Sequence, residues 1–344
     1  MPKDRRLGLL FHTSIGSNPH ERNGHLMIRY MLIRLLWLIP VIICVSFIVF
    51  VLMDLTPGNV LDAMVEQDMS AEARAELISK YNLDRSVFYR YGVYMSRLVR
   101  GDLGVSDSTS LPIWPEFISR LPNTLRLGFA ALVIGAAVAI PLGIFAARRS
   151  GTLFDNAATV FSLIGLSMPL FWLGLLLMLL FSLRLGWLPA TGDREGFRSL
   201  ILPAICSSVS MMAQTARQTR SNMLDVLNAD YLRTARAKGV PEKIVIRKHA
   251  LGNAWIPILT AIGTGFSAQL AGSVVVESVF AWPGIGRMAA EAVLSRDVTR
   301  TTGVVIMTTI LYVLILLIVD MLYAFVDPRI RAQYTSSKKR RRAA

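Results

Sequence analysis

The residues able to do chemistry in this sequence are few and scattered. Four histidines (His12, His20, His25 and His249) show no metal-ligand spacing, and no metal site is expected. Cys44 and Cys206 each sit inside an apolar run, where a thiol serves as a small packing residue rather than part of a disulfide framework. No histidine–carboxylate cluster, nucleophile motif or Gly-x-x-x-x-Gly-Lys phosphate loop occurs, so catalysis and nucleotide binding are not expected of this chain. What the sequence offers instead is a segment suited to mechanical work. Residues 230–238 read as a short helix, with Asp230 as its cap, Gly239 as its stop and Pro241 barring continuation. A capped helix held between two apolar spans is a rigid lever, although the same pattern fits an ordinary amphipathic connector. The other candidates are polar groups inside apolar runs: Ser210, Gln214 and Asp320.

The elements around these residues are dictated by composition. Of the 344 residues 53% are hydrophobic and 17% charged, which leaves a membrane protein as the one class that fits. Six apolar segments emerge, at 35–53, 127–147, 160–183, 200–216, 256–276 and 303–325. Each approaches the roughly 20 residues that cross a hydrocarbon core as a helix with its backbone satisfied internally. Pro169 is expected to kink the third, while Pro40 and Pro141 fall near the ends of the first two. The fourth holds Ser207, Ser208, Ser210 and Gln214, which suits a helix facing protein or a water-lined path. The first segment is too long for a cleavable signal and lacks a small-residue cleavage site, so it reads as an uncleaved anchor.

Basic residues set the orientation. Segments 1–34, 148–159, 217–255 and 326–344 carry 23 Lys and Arg against 7 acids. Segments 54–126, 184–199 and 277–302 carry 14 against 15. The first set is therefore read as cytoplasmic, both termini included, and the net charge of +14 lies there. The basic run 338–342 reads as a tail attracted to anionic lipid heads; nucleic-acid binding would need a folded reader that this chain lacks.

The first outer loop, 54–126, reads as folded. Ser70 is placed to cap a helix from Ala71, with Glu72 in its first turn and Asn82 at its end. A second helix over about 85–100 puts Val87, Tyr91, Tyr94 or Met95, and Leu98 on one face, and Gly101 stops it. Such a face must rest on the bilayer surface or on a partner.

Longer motifs then narrow the reading. Arg233-Thr-Ala-x-x-x-Gly239 followed by His249-Ala-Leu-x-Asn253 resembles the coupling-loop motif of binding-protein-dependent ABC importer permeases. Tyr81-Asn-Leu-Asp-Arg85, Arg100-Gly-Asp-Leu-Gly104, Arg120-Leu-Pro-Asn-Thr124, Leu185-Gly-Trp-Leu-Pro189 and Arg296-Asp297 resemble one subfamily of it. So do Val276-Glu-Ser-Val-Phe-Ala-Trp-Pro-Gly-Ile-Gly286 and Val319-Asp-Met-Leu-Tyr-Ala-Phe-Val-Asp-Pro-Arg-Ile-Arg331. That subfamily is the first (B-type) permease subunit of dipeptide and oligopeptide importers. The chain departs from the general motif with Arg233-Thr234-Ala235 for Glu-Ala-Ala and Leu251-Gly252 for Leu-Pro, a form common in the peptide branch. The first 26 residues have no counterpart in the pattern.

The resemblance implies an all-α, type I ABC importer permease with six spans in the bacterial inner membrane. A core of 127–325 would follow the first span and its folded outer loop. Asp230, Tyr231, Leu232, Arg233, Thr234, Ala235, Arg236, Ala237, Lys238 and Gly239 would form the coupling helix, docked on a cytoplasmic ATPase subunit. ATP and Mg would bind those one or two ATPase subunits, with no cofactor on this chain. A second homologous permease and an extracytoplasmic solute-binding protein would complete the assembly. Ser210 and Gln214 become pathway candidates, with hydrogen bonding to a neighbouring helix the alternative role for the serine. Asp320 either steers a ligand's amino terminus or pairs with a basic residue. Glu277, Phe280, Trp282, Pro283 and Gly284 mark an outer turn able to dip into the cavity mouth and help dislodge substrate. The same architecture also serves nickel complexes, glutathione, haem precursors and oligosaccharides. A self-sufficient secondary transporter or channel would want inverted repeats, broken helices at the midplane or several intramembrane ionisable groups; a membrane enzyme would want a catalytic cluster.

Overall fold

A computed structural model describes residues 19–55 and 84–326, with residues 70, 72, 75, 78, 79 and 82 between them. Eleven helices are defined among the described residues: α1 Pro19–Leu55, α2 Val87–Val99, α3 Ile113–Arg148, α4 Leu153–Ser167, α5 Leu170–Leu177, α6 Phe197–Leu227, α7 Asp230–Ala237, α8 Glu242–Ile244, α9 Leu251–Val279, α10 Ile285–Leu294 and α11 Val298–Val326. The expected capping of a helix at Ala71 and the basic tail 338–342 lie outside the described residues.

Four of these elements are long and apolar enough to cross a bilayer alone: Leu35–Met53 within α1, α3, α6, and Val298–Val319 within α11. The α4–α5 pair is a fifth if taken as one span. The apolar run 256–276 lies in α9, a continuous helix of 29 residues. Large apolar side chains such as Leu36, Trp37, Phe129, Phe161 and Ile318 face outward, as lipid-facing positions must. The expected spans are shorter than the helices that hold them. Both α1 and α3 run straight through Pro40 and through Pro122 and Pro141.

The third apolar run departs most from expectation. Rather than one kinked span, it is two helices meeting at 105°. Pro169 lacks the N–H that would continue α4 and biases Met168 away from the helical region; Met168 is extended, with φ −77° and ψ 124°. Beyond α5 the chain widens into π-type turns over Met178–Arg184.

α3, α6 and α9 form the centre, with α6 against both of the others. Two core clusters cap the bundle. At one end Leu127, Leu202, Cys206, Phe280 and Trp282 are buried together; at the other Ala147, Met223, Leu232, Val245, Ala254 and Ile258 are. The amphipathic α2 finds a partner within the chain, on α1. Tyr91 donates to the Ile43 carbonyl at 3.0 Å and meets the Ser46 hydroxyl at 2.8 Å, and its ring packs edge-on against Phe47 and Phe50. Ser86 caps α2 through the Tyr89 N–H.

Asp155, at the start of α4, is 1% exposed and accepts hydrogen bonds from Nε and Nη2 of Arg220 on α6, the second at 2.6 Å. The Arg220 hydrogen bonds hold its carboxyl below the usual carboxylate range. A depressed carboxyl contributes its stability above the unfolded value and loses it as pH falls through the folded one, so the pair is intact at neutral pH. Asp155→Asn is expected to cost about 1–2 kcal/mol at pH 7, less than a fully buried pair because Arg220 is partly solvated. Thermal unfolding of the detergent-solubilised protein measures it, and the difference from wild type should shrink only at acid pH.

Candidate functional site

The segment singled out for mechanical work is a defined object. α7 covers Asp230–Ala237, and its N-cap is Ala229, with φ −72° and ψ 143°. Asp230 is therefore the first helical residue and not the cap. Its charge still complements the helix N-terminus, and it lies 3.6 Å from Arg233. The other end follows the sequence closely. Gly239 has φ +76°; its N–H donates to the Arg236 carbonyl at 2.9 Å and that of Val240 to Ala235 at 3.3 Å. This is the paired closure that a left-handed glycine permits.

Three contacts weld α7 to the bundle. Leu232 is fully buried in the cluster of Met223, Val245, Ala254 and Ile258. Arg236 makes a bidentate bridge to Glu242, 3.1 Å on each arm, and that hydrogen-bonded fork holds the Glu242 carboxyl below its ordinary range. Asn253 donates to the Tyr231 hydroxyl at 3.0 Å and to the His249 carbonyl at 3.0 Å, which joins the two halves of the coupling-loop motif. Asp230, Tyr231, Arg233, Thr234, Arg236, Ala237, Lys238 and Gly239 stay exposed, and Ala235 is half-buried. The result is a fixed helix with a basic outward face.

Ser210 and Gln214 come together across one turn of α6, in the wall of a cavity of about 110 Å³ shared with Leu170, Ser207 and Gln269. Gln269, on α9, was not singled out from sequence; the signal was there, as it is the one side-chain amide in the run 256–276. Asp320 belongs to α11, but its side chain lies outside the described residues.

The 277–286 turn is packed rather than pendant. Glu277, Phe280 and Trp282 are buried, so packing holds the turn in place. Glu277 accepts from the Thr124 hydroxyl at 2.8 Å and from the Arg287 N–H at 2.9 Å. Thr124 in turn accepts from the Ile285 N–H at 2.8 Å. The Trp282 indole donates to the Asn123 carbonyl at 3.0 Å, and the Asn123 amide to that of Pro283 at 3.1 Å. A Cβ at Gly284 would lie 2.4 Å from the Glu277 carboxylate, so the glycine is required by the cage.

Residues 139–332 match the family model described as binding-protein-dependent transport system inner membrane component. The chain belongs to that family. The oligopeptide transport system permease protein AppB of Bacillus subtilis is 38% identical over 314 residues, covering 88% of this chain and 99% of AppB. The dipeptide permease DppB of Escherichia coli K12 is 36% identical, covering 89% and 99%. The glutathione permease GsiC of Escherichia coli is 37% identical, covering 89% and 99%. These relatives agree with the B-type subfamily that the motifs resemble. In fold, the chain is similar to one from the inward-facing MetNI methionine ABC transporter, with a TM-score of 0.52 at 18% identity over 61% of this chain and 96% of that one.

The subfamily-like motifs prove to be contact partners in this family member. Arg120, Asn123 and Thr124 come from a single motif, and all three engage the 277–291 region. Arg120 reaches Glu291 at 3.0 Å and Glu116 at 2.7 Å, while Arg300 meets Glu116 at 2.5 Å. Burial acts to raise the Glu291 carboxyl, but Arg120 and the neighbouring guanidiniums outweigh it and hold it low. Asp297 accepts from Ser106 at 2.7 Å and from the Arg300 N–H at 2.8 Å, tying the Arg296-Asp297 motif to the loop after Gly104. Thr124→Val keeps the shape but leaves the buried Glu277 oxygen and the Ile285 N–H each a partner short. A loss of roughly 2–4 kcal/mol is expected, read as a lowered unfolding temperature with α-helical content retained at 25 °C.

Proposed function

We propose that this chain is a permease subunit of an ATP-driven importer of dipeptides and oligopeptides in the bacterial inner membrane. It crosses six times with both termini cytoplasmic and forms half of the translocation path with a second, homologous permease. The proposal rests on one observation, the welded α7 with its basic outward face. That helix is the part that docks in a groove of a cytoplasmic ATPase subunit. The peptide reading draws on AppB and DppB, whose names state oligopeptide and dipeptide transport. Because GsiC is equally similar and is named for glutathione, itself a tripeptide, glutathione is the second reading.

The mechanism is a shift between two populations. ATP binding closes the ATPase dimer, the docked helices follow, and the path opens outward; hydrolysis reverses this. A partner drives the change only if it binds the two states unequally. Leu232, the Arg236–Glu242 bridge and the Tyr231–Asn253 contact carry that displacement from α7 into α6 and α9, because no soft linker lies between them. The Glu277 cage keeps the opposite ends of α3 and α9 in register as they move. In this reading the outer turn acts on the binding protein as a rigid surface. The break at Pro169 is one mark of a self-sufficient transporter. The relatives' names nevertheless place each of them in a transport system, which favours the coupled reading.

Two measurements test this. The chain co-purified with the second permease, the ATPases and the binding protein, and reconstituted in liposomes with internal ATP, is expected to give peptide uptake that stops without ATP. Solute movement by this chain alone refutes the proposal. Gly239→Pro removes the N–H bonded to Arg236 and forces φ from +76° to about −65°. Uptake is expected to fall at least about tenfold while the amount in the membrane is unchanged, and normal uptake rules out the coupling role.

A further inference from the structure

We infer that the cavity between α5, α6 and α9 is a binding niche for a peptide bond, with Gln269 Oε1 accepting its N–H and the Ser207 and Ser210 hydroxyls facing its carbonyl. This deepens the peptide reading and rests on it. The decisive group is Gln269, which is 8% exposed. Its Nε2 donates to the Gly128 carbonyl at 3.3 Å. A carbonyl only accepts, so the amide's orientation is fixed. Oε1 is left buried without a hydrogen-bond partner among the described residues, in the wall of the cavity that Ser207, Ser210 and Gln214 also line. A buried amide oxygen without a donor marks the place of an absent one.

The second observation is independent. α5 begins after the 105° break, and its first residue, Leu170, forms part of the same wall. A helix interrupted within an apolar run leaves its first N–H groups without partners in their own helix, the device by which broken transporter helices hold ligands, and here the interruption borders the cavity. The described lining residues include no ionisable group. The niche is therefore matched to a neutral hydrogen-bonding unit and not to a charged terminus. Among the parts of a peptide, that is the backbone amide.

The test compares alanyl-alanine with its ester analogue alanyl-lactate, which keeps the carbonyl but lacks the central N–H. Uptake of both is measured in proteoliposomes holding the whole complex and one binding protein, whose own selectivity cancels between variants. Gln269→Leu is expected to lower the peptide-to-ester uptake ratio about three- to tenfold. Ser210→Ala is expected to lower uptake of both compounds and leave the ratio unchanged. An unaltered ratio in Gln269→Leu, with both compounds slowed equally, overturns the niche while leaving the peptide importer standing. If Gln269→Leu fails to assemble, Gln269→Met, which also removes the accepting oxygen, replaces it with the same expected fall in the ratio, and an unaltered ratio there overturns the assignment. Absence of peptide uptake by the native complex overturns the importer reading and the niche together.

Discussion

The proposed transmission of force requires that α7 be seated without slack, and that seat is a single leucine. Leu232 fills a pocket made by Met223 on α6, Val245 in the turns after α8, and Ala254 and Ile258 on α9. Interiors packed at this density do not deform continuously, so displacing α7 must displace both long helices. The polar contacts refine the seat rather than create it. Arg236 with Glu242 and Tyr231 with Asn253 fix the rotation of α7 about that anchor, which decides where its basic face points.

The opposite end is built on another principle. There the fixed points are polar: buried Glu277 within its cage, and buried Arg300 with half-buried Arg120 against Glu116 and Glu291. Such a network contributes little net stability against an apolar alternative, but removing any one member is costly. It therefore specifies geometry, pinning α3, α10 and the start of α11 to the end of α9. Between the two locked ends lies the middle of α6 and α9, where small and polar side chains replace large apolar ones. Motion that leaves both ends intact has to be rigid-body tilting about this middle.

Much of this was legible in the sequence wherever the governing interaction is local. The closure of α7 at Gly239 and Pro241 depends on φ preferences within a few residues, and the amphipathic pattern of α2 within four turns. Asp230 was misplaced by one position because an aspartate suits both the cap and the first turn, and only the backbone angles of Ala229 separate them. The break at Pro169 was legible in place but not in size, since a bend of 105° depends on what packs around it. Non-local pairings were out of reach. Nothing in the spacing of Thr124, Glu277 and Gly284 shows that they share one hydrogen-bonded cage. Gln269 was visible as a lone amide in an apolar run, yet its unsatisfied oxygen appears only once Gly128 has claimed its nitrogen.

The neutral character of the middle suits the proposed transport path. A site buried in a low-dielectric interior that offered a full charge to a peptide terminus would hold it strongly, and a substrate held strongly in one state is released slowly in the other. Hydroxyls and amides give weaker, directional contacts that can be exchanged as the helices tilt. Selection can then reside in a separate binding protein, while the membrane subunit contributes passage. That division of labour also accounts for the contrast within the chain. Its multi-residue ionic network stands at the end formed by the 277–302 region, and its basic face, with the separate pairs Asp155–Arg220 and Arg236–Glu242, at the other. Ser207, Ser210, Gln214 and Gln269, between them, carry hydrogen-bonding capacity without charge.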